Sequence, residues 1–294
     1  MKIFISGATG FVGGHLCNEL LGRGHTLRLL SHHGKATVSG GVEFFGGDVT
    51  AAADCTTGAA GCDAVVNLVG IIREFPHRGI TFERLHVEAT RNMLAAAQQN
   101  GIRRYLQMSA LGSRPAAVSG YHRSKYQAEE LVVASGLDYT IFRPSLIFGP
   151  KDAFVNMLAG FIRNFSVVPV IGDGKYRMQP IAADDVARCF AIALENPETV
   201  GKAYNICGPD RLNYLEIVDV VAKVLGRHFI LKMKNPLLLM QFVTPILEQF
   251  PFYPVTSDQI TMLLEESICD GSWQEVFGFE PVGFEEGIRK YLRS

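Results

Sequence analysis

The strongest constraint on this chain lies in its first thirty residues, MKIFISGATGFVGGHLCNELLGRGHTLRLL. Residues 3–5 are an apolar run rich in β-branched and aromatic side chains, the pattern of a strand buried on both faces. Gly7, Gly10 and Gly13 follow at intervals of three. Residues 15–21 then read as a helix with Leu16, Leu20 and Leu21 along one face. Gly22 and Gly24 break that helix, and residues 26–30 read as a second strand.

A strand, a glycine turn, a helix and a strand in this order form the unit that holds a dinucleotide. One glycine permits the tight turn, and one lets backbone N–H groups approach a pyrophosphate. The third lets the helix pack close to the strand with its N-terminal dipole on the phosphates. The first gap is one residue wider than in the commonest glycine fingerprint. A bare glycine triplet says little; set at the start of a complete βαβ pattern, it predicts a dinucleotide site.

The alternation continues along the chain. Strands are expected over 42–45, 64–69, 104–108 and 139–142. A long helix over 83–100 carries Leu85, Ala89, Met93, Leu94 and Ala97 on its buried stripe and closes at Gly101. This pattern predicts an α/β fold, a doubly wound parallel sheet with right-handed crossovers. Beyond Lys151 the rhythm changes to helices over 154–165, 183–194 and 214–225, with short strands over 167–171 and 204–206. The expected division is a dinucleotide-binding domain over 1–150 and 177–207, and a smaller, mainly helical substrate or partner domain over 151–176 and 208–294. A substrate cleft is expected between them.

Composition narrows the classes further. A hydrophobic fraction of 48% and a charged fraction of 19% over 294 residues suit a chain with a sizeable core. A net charge of −1 gives no reason to expect nucleic acid. The six cysteines, at 17, 55, 62, 189, 207 and 269, form no C-x-x-C pair and no metal-ligand spacing. They read as reduced core residues, and no metal is expected. The first strand begins almost at Met1, which leaves no room for a targeting peptide, and no apolar run has the length of a membrane span. The expectation is a cytoplasmic protein, at most peripheral to a membrane. One stretch stands out, the apolar 236–253 (PLLLMQFVTPILEQFPFY). It suits a core helix of the smaller domain; the alternatives are a lid, an apolar substrate pocket, or a contact with a partner protein or membrane face.

The loop after the second strand bears on cofactor choice. An acid there accepts from a ribose 2′-OH, whereas basic or small polar residues accommodate a 2′-phosphate. No Asp or Glu lies between Leu27 and Gly41, while Ser31, His32, His33 and Lys35 offer donors and Arg28 is near. NADP(H) is therefore expected over NAD(H), which stays the second choice. Lys35 reads equally well as a solvated residue.

The stretches GATGFVGGHL, GDVT, YHRSK, RPSLIFGP and GDGKYRMQPIAADDVA together resemble the extended and atypical short-chain dehydrogenases of the epimerase/dehydratase superfamily, over nearly the whole chain. Within it the likeness is to the dehydrogenase-like accessory subunit of respiratory complex I and its bacterial relatives, which VTSDQITML near the C-terminus shares. The resemblance implies a Rossmann fold with the cofactor along Gly7, Thr9, Gly10, Phe11, Val12 and Gly13. It also implies contacts from Ser31, His32 and His33, from Asp48 and Val49, and from the strand ends Leu68, Val69, Gly70, Met108 and Ser109. Asp48 would accept from the adenine amino group, although it also suits a helix N-cap.

The same resemblance assigns the chemistry. Tyr121 and Lys125 stand four apart, on one helix face. In the family the Tyr exchanges a proton with the substrate oxygen, and the Lys holds the nicotinamide ribose while lowering the Tyr pKa. Ser109 is the candidate third partner, with Ser113 the alternative; a backbone-bonding hydroxyl is an equal reading of Ser109. Pro144, Ser145 and Leu146 would approach the nicotinamide. Arg177 and Gln179 would face substrate, unless Arg177 pairs with Asp184 or Asp185. Two functions stay open: hydride transfer to or from a carbonyl or alcohol with Tyr121 as general acid/base, or a non-catalytic NADP(H)-binding protein with a structural, assembly or redox-sensing role.

Overall fold

A computed structural model describes residues 1–32, 38–248 and 255–293 of the chain. The first stretch alternates as the hydrophobic pattern dictates: β1 (Lys2–Ser6), α1 (Phe11–Gly22), β2 (Thr26–Ser31), β3 (Val38–Ser39), β4 (Val42–Gly46), α2 (Ala52–Ala59) and β5 (Ala64–Asn67). Then come α3 (Ala89–Gln99), β6 (Arg104–Met108), α4 (Gly120–Ala134) and β7 (Asp138–Pro144). Shorter strands follow, β8 (Ile147–Phe148), β9 (Val167–Ile171), β10 (Arg177–Met178) and β11 (Ile181–Ala182), with α5 (Ala153–Phe165) between β8 and β9. Next are α6 (Ala183–Glu195), β12 (Lys202–Ile206), β13 (Leu212–Asn213), α7 (Tyr214–Val224) and β14 (Leu231–Asn235). The chain ends in α8 (Leu237–Leu247), α9 (Ser257–Leu264), α10 (Trp273–Phe277) and α11 (Phe284–Leu292).

Two compact units result. The first holds 1–144 and 183–205, the second 145–182 and 206–294. Contacts thus place 145–150, 177–182 and 206–207 with the second unit, a few residues away from the boundaries expected from the sequence. In the first unit eight strands form one sheet, ordered β12-β7-β6-β5-β1-β2-β4-β3. The strands from β7 to β4 run parallel, and β3 lies antiparallel on the edge. Sheet residues Phe4, Val65, Tyr105 and Ile141 share one buried cluster with Cys55, Met93, Ala96 and Val132 of α2, α3 and α4. Phe142, one residue on from Ile141, turns to the other face and packs on Phe190 of α6 at 4.4 Å. Buried on both faces, the middles of these strands are mainly apolar.

The expected long helix begins differently. Residues Glu83–Glu88 wind as a π-helical turn before α3 takes over at Ala89. Such turns re-aim side chains and recur at functional sites. Here the turn buries His86. Gly101, at φ +68°, then ends the helix as the left-handed residue predicted from sequence.

The second unit packs α5, α7 and α11 around Phe148, Leu158, Ile217, Val221, Phe284 and Ile288. Two parallel pairs, β8 with β11 and β9 with β14, and one antiparallel pair, β10 with β13, border it. One expectation fails here. Cys207 and Cys269 are joined as a disulfide, so the six cysteines are not all reduced; Cys17, Cys55, Cys62 and Cys189 are the free ones. The sequence misled because these partners are 62 residues apart and only folding brings them together. No helix among the described residues is long and apolar enough to cross a membrane.

A loop of this length predicts that breaking the cross-link with Cys269→Ser lowers stability by about 4 kcal/mol, mainly through the unfolded chain. Denaturant titration of oxidised wild type against the variant measures it. Thiol titration of the unfolded, unreduced protein should count the four free cysteines.

Candidate functional site

The site is built where β1 meets α1. Gly7 takes φ +76°, and a Cβ there would lie 2.8 Å from the Leu68 carbonyl carbon and 2.9 Å from Val69 N. The turn therefore runs hard against the chain leaving β5, and only glycine permits it. A Cβ on Gly13 would meet Ala8 O at 2.3 Å, so that glycine lets α1 pack against the turn; Gly10 is less crowded, 3.1 Å from Gly7 O. Gly10 caps α1 in extended conformation with no side-chain cap. Thr9 and Gly10 are exposed, with Phe11 and Val12 half-buried. Backbone N–H groups and a helix N-terminus thus line an open turn that a pyrophosphate fits.

Buried polar side chains hold the strand ends. Ser6 Oγ donates to Asn67 Oδ1 at 2.8 Å, and Val69 N donates to the same oxygen at 3.1 Å. Asn67 Nδ2 donates to Thr90 Oγ1 and to Gln107 Oε1, which also accepts from Tyr105 OH. Sequence reading passed over this network, because single polar residues inside apolar strands carry no periodic signal.

Tyr121 and Lys125 lie on the first turns of α4, as predicted. Lys125 is buried, its Nζ donating to Val69 O at 3.1 Å and Met108 O at 3.3 Å. Burial lowers its pKa to about 8, against the pull of Glu129 in the other direction. A Cβ on Gly70 would lie 2.8 Å from that Nζ, which explains a glycine there. Tyr121 is half-buried and packs edge-on to His86, with ring centroids 5.4 Å apart. His86 Nε2 accepts from Ile71 N at 3.1 Å, so Nδ1 carries the proton and donates to Ser124 Oγ at 2.8 Å. Ser124 in turn donates to Tyr121 O. Burial, then the Lys125 charge, drops the His86 pKa to about 2, so the imidazole is neutral. His86 escaped the sequence reading, since its aim depends on the π-helical turn.

Ser109 is at the end of β6, but its hydroxyl donates to the buried Glu129 carboxylate and lies 3.2 Å from Ser113 Oγ. Glu129 also holds Arg143 through two guanidinium nitrogens, with Nε at 2.8 Å. The hydroxyl is thus part of a buried ion-pair network.

The other predicted residues are spread more widely. His32 Nε2 lies 3.3 Å from Asp48 Oδ2, and Asp48 Oδ1 accepts from the Thr50 N–H and hydroxyl. Val49 O accepts from Asn92. Arg28, near the expected donors in the sequence, is committed to Glu43 and to the carbonyls of Gly58 and Ala60. His33 and Lys35 lie outside the described residues. In the second unit, Ser145 Oγ donates to Gln179 O and Leu146 O accepts from Ile181. The expected pairing of Arg177 with Asp184 or Asp185 fails: Arg177 pairs with Glu266 at 2.7 and 2.8 Å, while Asp184 meets His15. Buried Gln179 spends its amide internally, donating to Gly208 O and accepting from Cys269 N.

The fold and the glycine turn define the class, a Rossmann-like dinucleotide-binding protein. The sequence model of the NAD dependent epimerase/dehydratase family matches residues 3–207, and the chain belongs to that family. It is similar to the mitochondrial NADH dehydrogenase [ubiquinone] 1 alpha subcomplex subunit 9 of Mus musculus, 28% identical over 95% of this chain and 75% of the relative. The Arabidopsis thaliana protein of that name is 34% identical over 55% of this chain and 40% of its own length. A 2-alkyl-3-oxoalkanoate reductase of Stenotrophomonas maltophilia is 26% identical over 100% of this chain and 99% of that one. Among solved structures, a UDP-glucose 4-epimerase from Thermotoga maritima superposes with TM-score 0.78 at 18% identity, covering 100% and 98% of the two chains.

Two outcomes follow from this geometry. Gly13→Ala drives a Cβ into backbone and should lower stability by about 1–3 kcal/mol in thermal or denaturant unfolding, more than Gly10→Ala. For Lys125 the folded pKa lies below the unfolded one, so the unfolded chain binds the extra proton between them. Its burial therefore costs stability below pH about 8, and this cost fades as pH rises toward 10.5, the ordinary value for a lysine. Stability of wild type minus that of Lys125→Met should rise across this window, as urea midpoints at several pH values would show.

Proposed function

We propose that this protein binds NADP(H) at the Gly7–Gly13 turn and reduces or oxidises a carbonyl or alcohol substrate. The observation that carries the reading is buried Lys125, held between two strand-end carbonyls one helical turn from Tyr121. An ammonium has three donors; beyond those given to Val69 and Met108, one remains for ribose hydroxyls. A bound nicotinamide supplies or accepts the hydride. Tyr121 exchanges the proton with the substrate oxygen, and the Lys125 charge favours its ionised form. Neutral His86 fixes the Tyr121 ring edge-on without adding a competing cation. The reductase relative and a 3-beta-hydroxysteroid dehydrogenase of Mycolicibacterium neoaurum, 26% identical, support an oxidoreductase reading.

NADP(H) is proposed over NAD(H) because β2 ends in Ser31, and the sequence from there through His32, His33 and Lys35 has no Asp or Glu to accept from a ribose 2′-OH. A second reading rests on Ser109. With its hydroxyl given to Glu129, the substrate oxygen lacks the strand-end donor, which suits a protein that holds the nucleotide without turnover, as part of a larger assembly. The complex I subunit relatives favour that alternative.

Nucleotide titration with both cofactors, followed by assay on a panel of ketones, aldehydes and quinones, separates these readings. On the enzymatic reading Tyr121→Phe lowers turnover by roughly two to four orders of magnitude with cofactor affinity unchanged. Lys125→Met weakens both. Ser31→Asp shifts preference toward NAD(H). Equal or tighter NAD(H) binding by wild type would refute the cofactor choice. No turnover by wild type, with Tyr121→Phe binding nucleotide normally, would leave the binding-protein reading standing.

A further inference from the structure

The second unit exposes apolar side chains that its own core leaves uncovered. Phe165, Phe229 and Phe242 are 69%, 76% and 75% exposed, and Leu231 and Met233 are also exposed. Single exposed apolar residues are ordinary, but contiguous ones bordered by charge mark an interaction surface. These are contiguous through the β9/β14 pair. Leu231 is paired with Val167 and Met233 with Pro169, and Leu231 N donates to Ser166 O at 3.0 Å. Phe165, at the end of α5, and Phe229 each lie two residues before the first paired residues, Val167 and Leu231. Leu231 and Met233, two apart on a strand, share one face. From β14 the chain passes directly into α8, which carries Phe242.

The charge around this surface is mainly positive, with Asp219 and Glu285 each taken up by a lysine. Between Asp219 and Glu248 the chain has no acidic residue, but it has Lys223, Arg227, Lys232 and Lys234. Lys223 pairs with Glu285 and Lys232 with Asp219. Three arginines that are distant in sequence meet at one cavity of about 520 Å³, lined by Arg163, Arg227 and Arg293 with Gly226. Their hydrogen bonds go to backbone carbonyls: Arg163 to Leu292 O, Arg227 to Arg163 O and Arg293 to Val224 O. A carbonyl at a helix end offsets only part of a full positive charge. The guanidinium forks, suited to phosphate, lie at an open surface.

We infer that this face of the second unit, Phe165, Phe229, Leu231 and Met233 with Arg163, Arg227 and Arg293, docks on the surface of a bilayer containing anionic phospholipid. The aromatic and aliphatic side chains enter the headgroup boundary while the arginines receive lipid phosphates. Charge complementarity favours a bilayer over a protein partner: beside the exposed apolar groups, the hydrogen bonds of Arg163, Arg227 and Arg293 go to carbonyls, while Asp219 and Glu285 are taken up by Lys232 and Lys223. The inference is independent of whether the first unit turns over a substrate.

Co-sedimentation of the full chain with vesicles tests it. Phosphatidylcholine vesicles are compared with vesicles of phosphatidylcholine and phosphatidylglycerol. Binding should be confined to the anionic vesicles and released by salt. Arg227→Glu changes the surface charge by two and should weaken binding about thirtyfold. The double substitution Phe165→Ser with Phe229→Ser should weaken it about tenfold or more. Arg103→Glu, on the first unit, should leave it unchanged. All these side chains are exposed, so circular dichroism should report intact folds. Sedimentation with neither vesicle would overturn the inference and leave the face to a protein partner. Equal binding to both vesicles, or binding indifferent to the Arg227 and phenylalanine changes, would also overturn it. Displacement from anionic vesicles by inorganic phosphate at equal phosphate concentration would reduce the site to a free-anion cavity and overturn bilayer docking.

Discussion

Everything at the candidate site depends on how closely the backbone after β1 approaches the backbone after β5. At Gly7 the two are near enough that a single Cβ would overlap the Leu68–Val69 peptide. That approach is held by Asn67, whose side-chain oxygen accepts from Ser6 on one strand and from the Val69 amide on the next turn. With the peptides so fixed, Val69 O points at Lys125 Nζ and Gly70 leaves room for it. One packing constraint therefore positions both the phosphate-facing turn and the buried cation.

The buried cation sets the electrostatics of its neighbours. Burial disfavours the charged form of Lys125, and its charge helps keep His86 neutral. Glu129, one turn further along α4, is balanced by Arg143 and by the Ser109 hydroxyl, so it is not a lone carboxylate beside the site. Its pairing with Arg143 makes the Ser109 hydroxyl one arm of a network that would lose a hydrogen bond if Ser109 turned elsewhere. An unpaired buried carboxylate oxygen is costly. The hydroxyl that sequence offers as catalytic thus has a structural employment.

The second unit solves a different problem. Its core is made by helices α5, α7 and α11, and its β9/β14 pair leaves Leu231 and Met233 exposed. Arginines close its helix ends by reaching carbonyls across sequence separations of 64 to 129 residues. Gln179, the disulfided Cys269 and Gly208 form one hydrogen-bonded knot that ties the segment after α9 to the end of β12.

The amino-acid sequence by itself determined the alternating elements, the parallel sheet, the glycine turn and the Tyr121/Lys125 pair. These are local or periodic properties: side-chain repeat, glycine spacing and helical separation are all written within a few consecutive residues. Tertiary structure alone decided which groups those residues meet. The π-helical turn that aims His86, the Asn67 network, the union of Cys207 with Cys269, and the choice of Glu266 over Asp184 for Arg177 all join residues distant in the chain. Such pairings depend on how whole elements pack, and many partners of the same chemical type are available to each group. Burial and backbone direction, which select among them, exist only once the chain has folded.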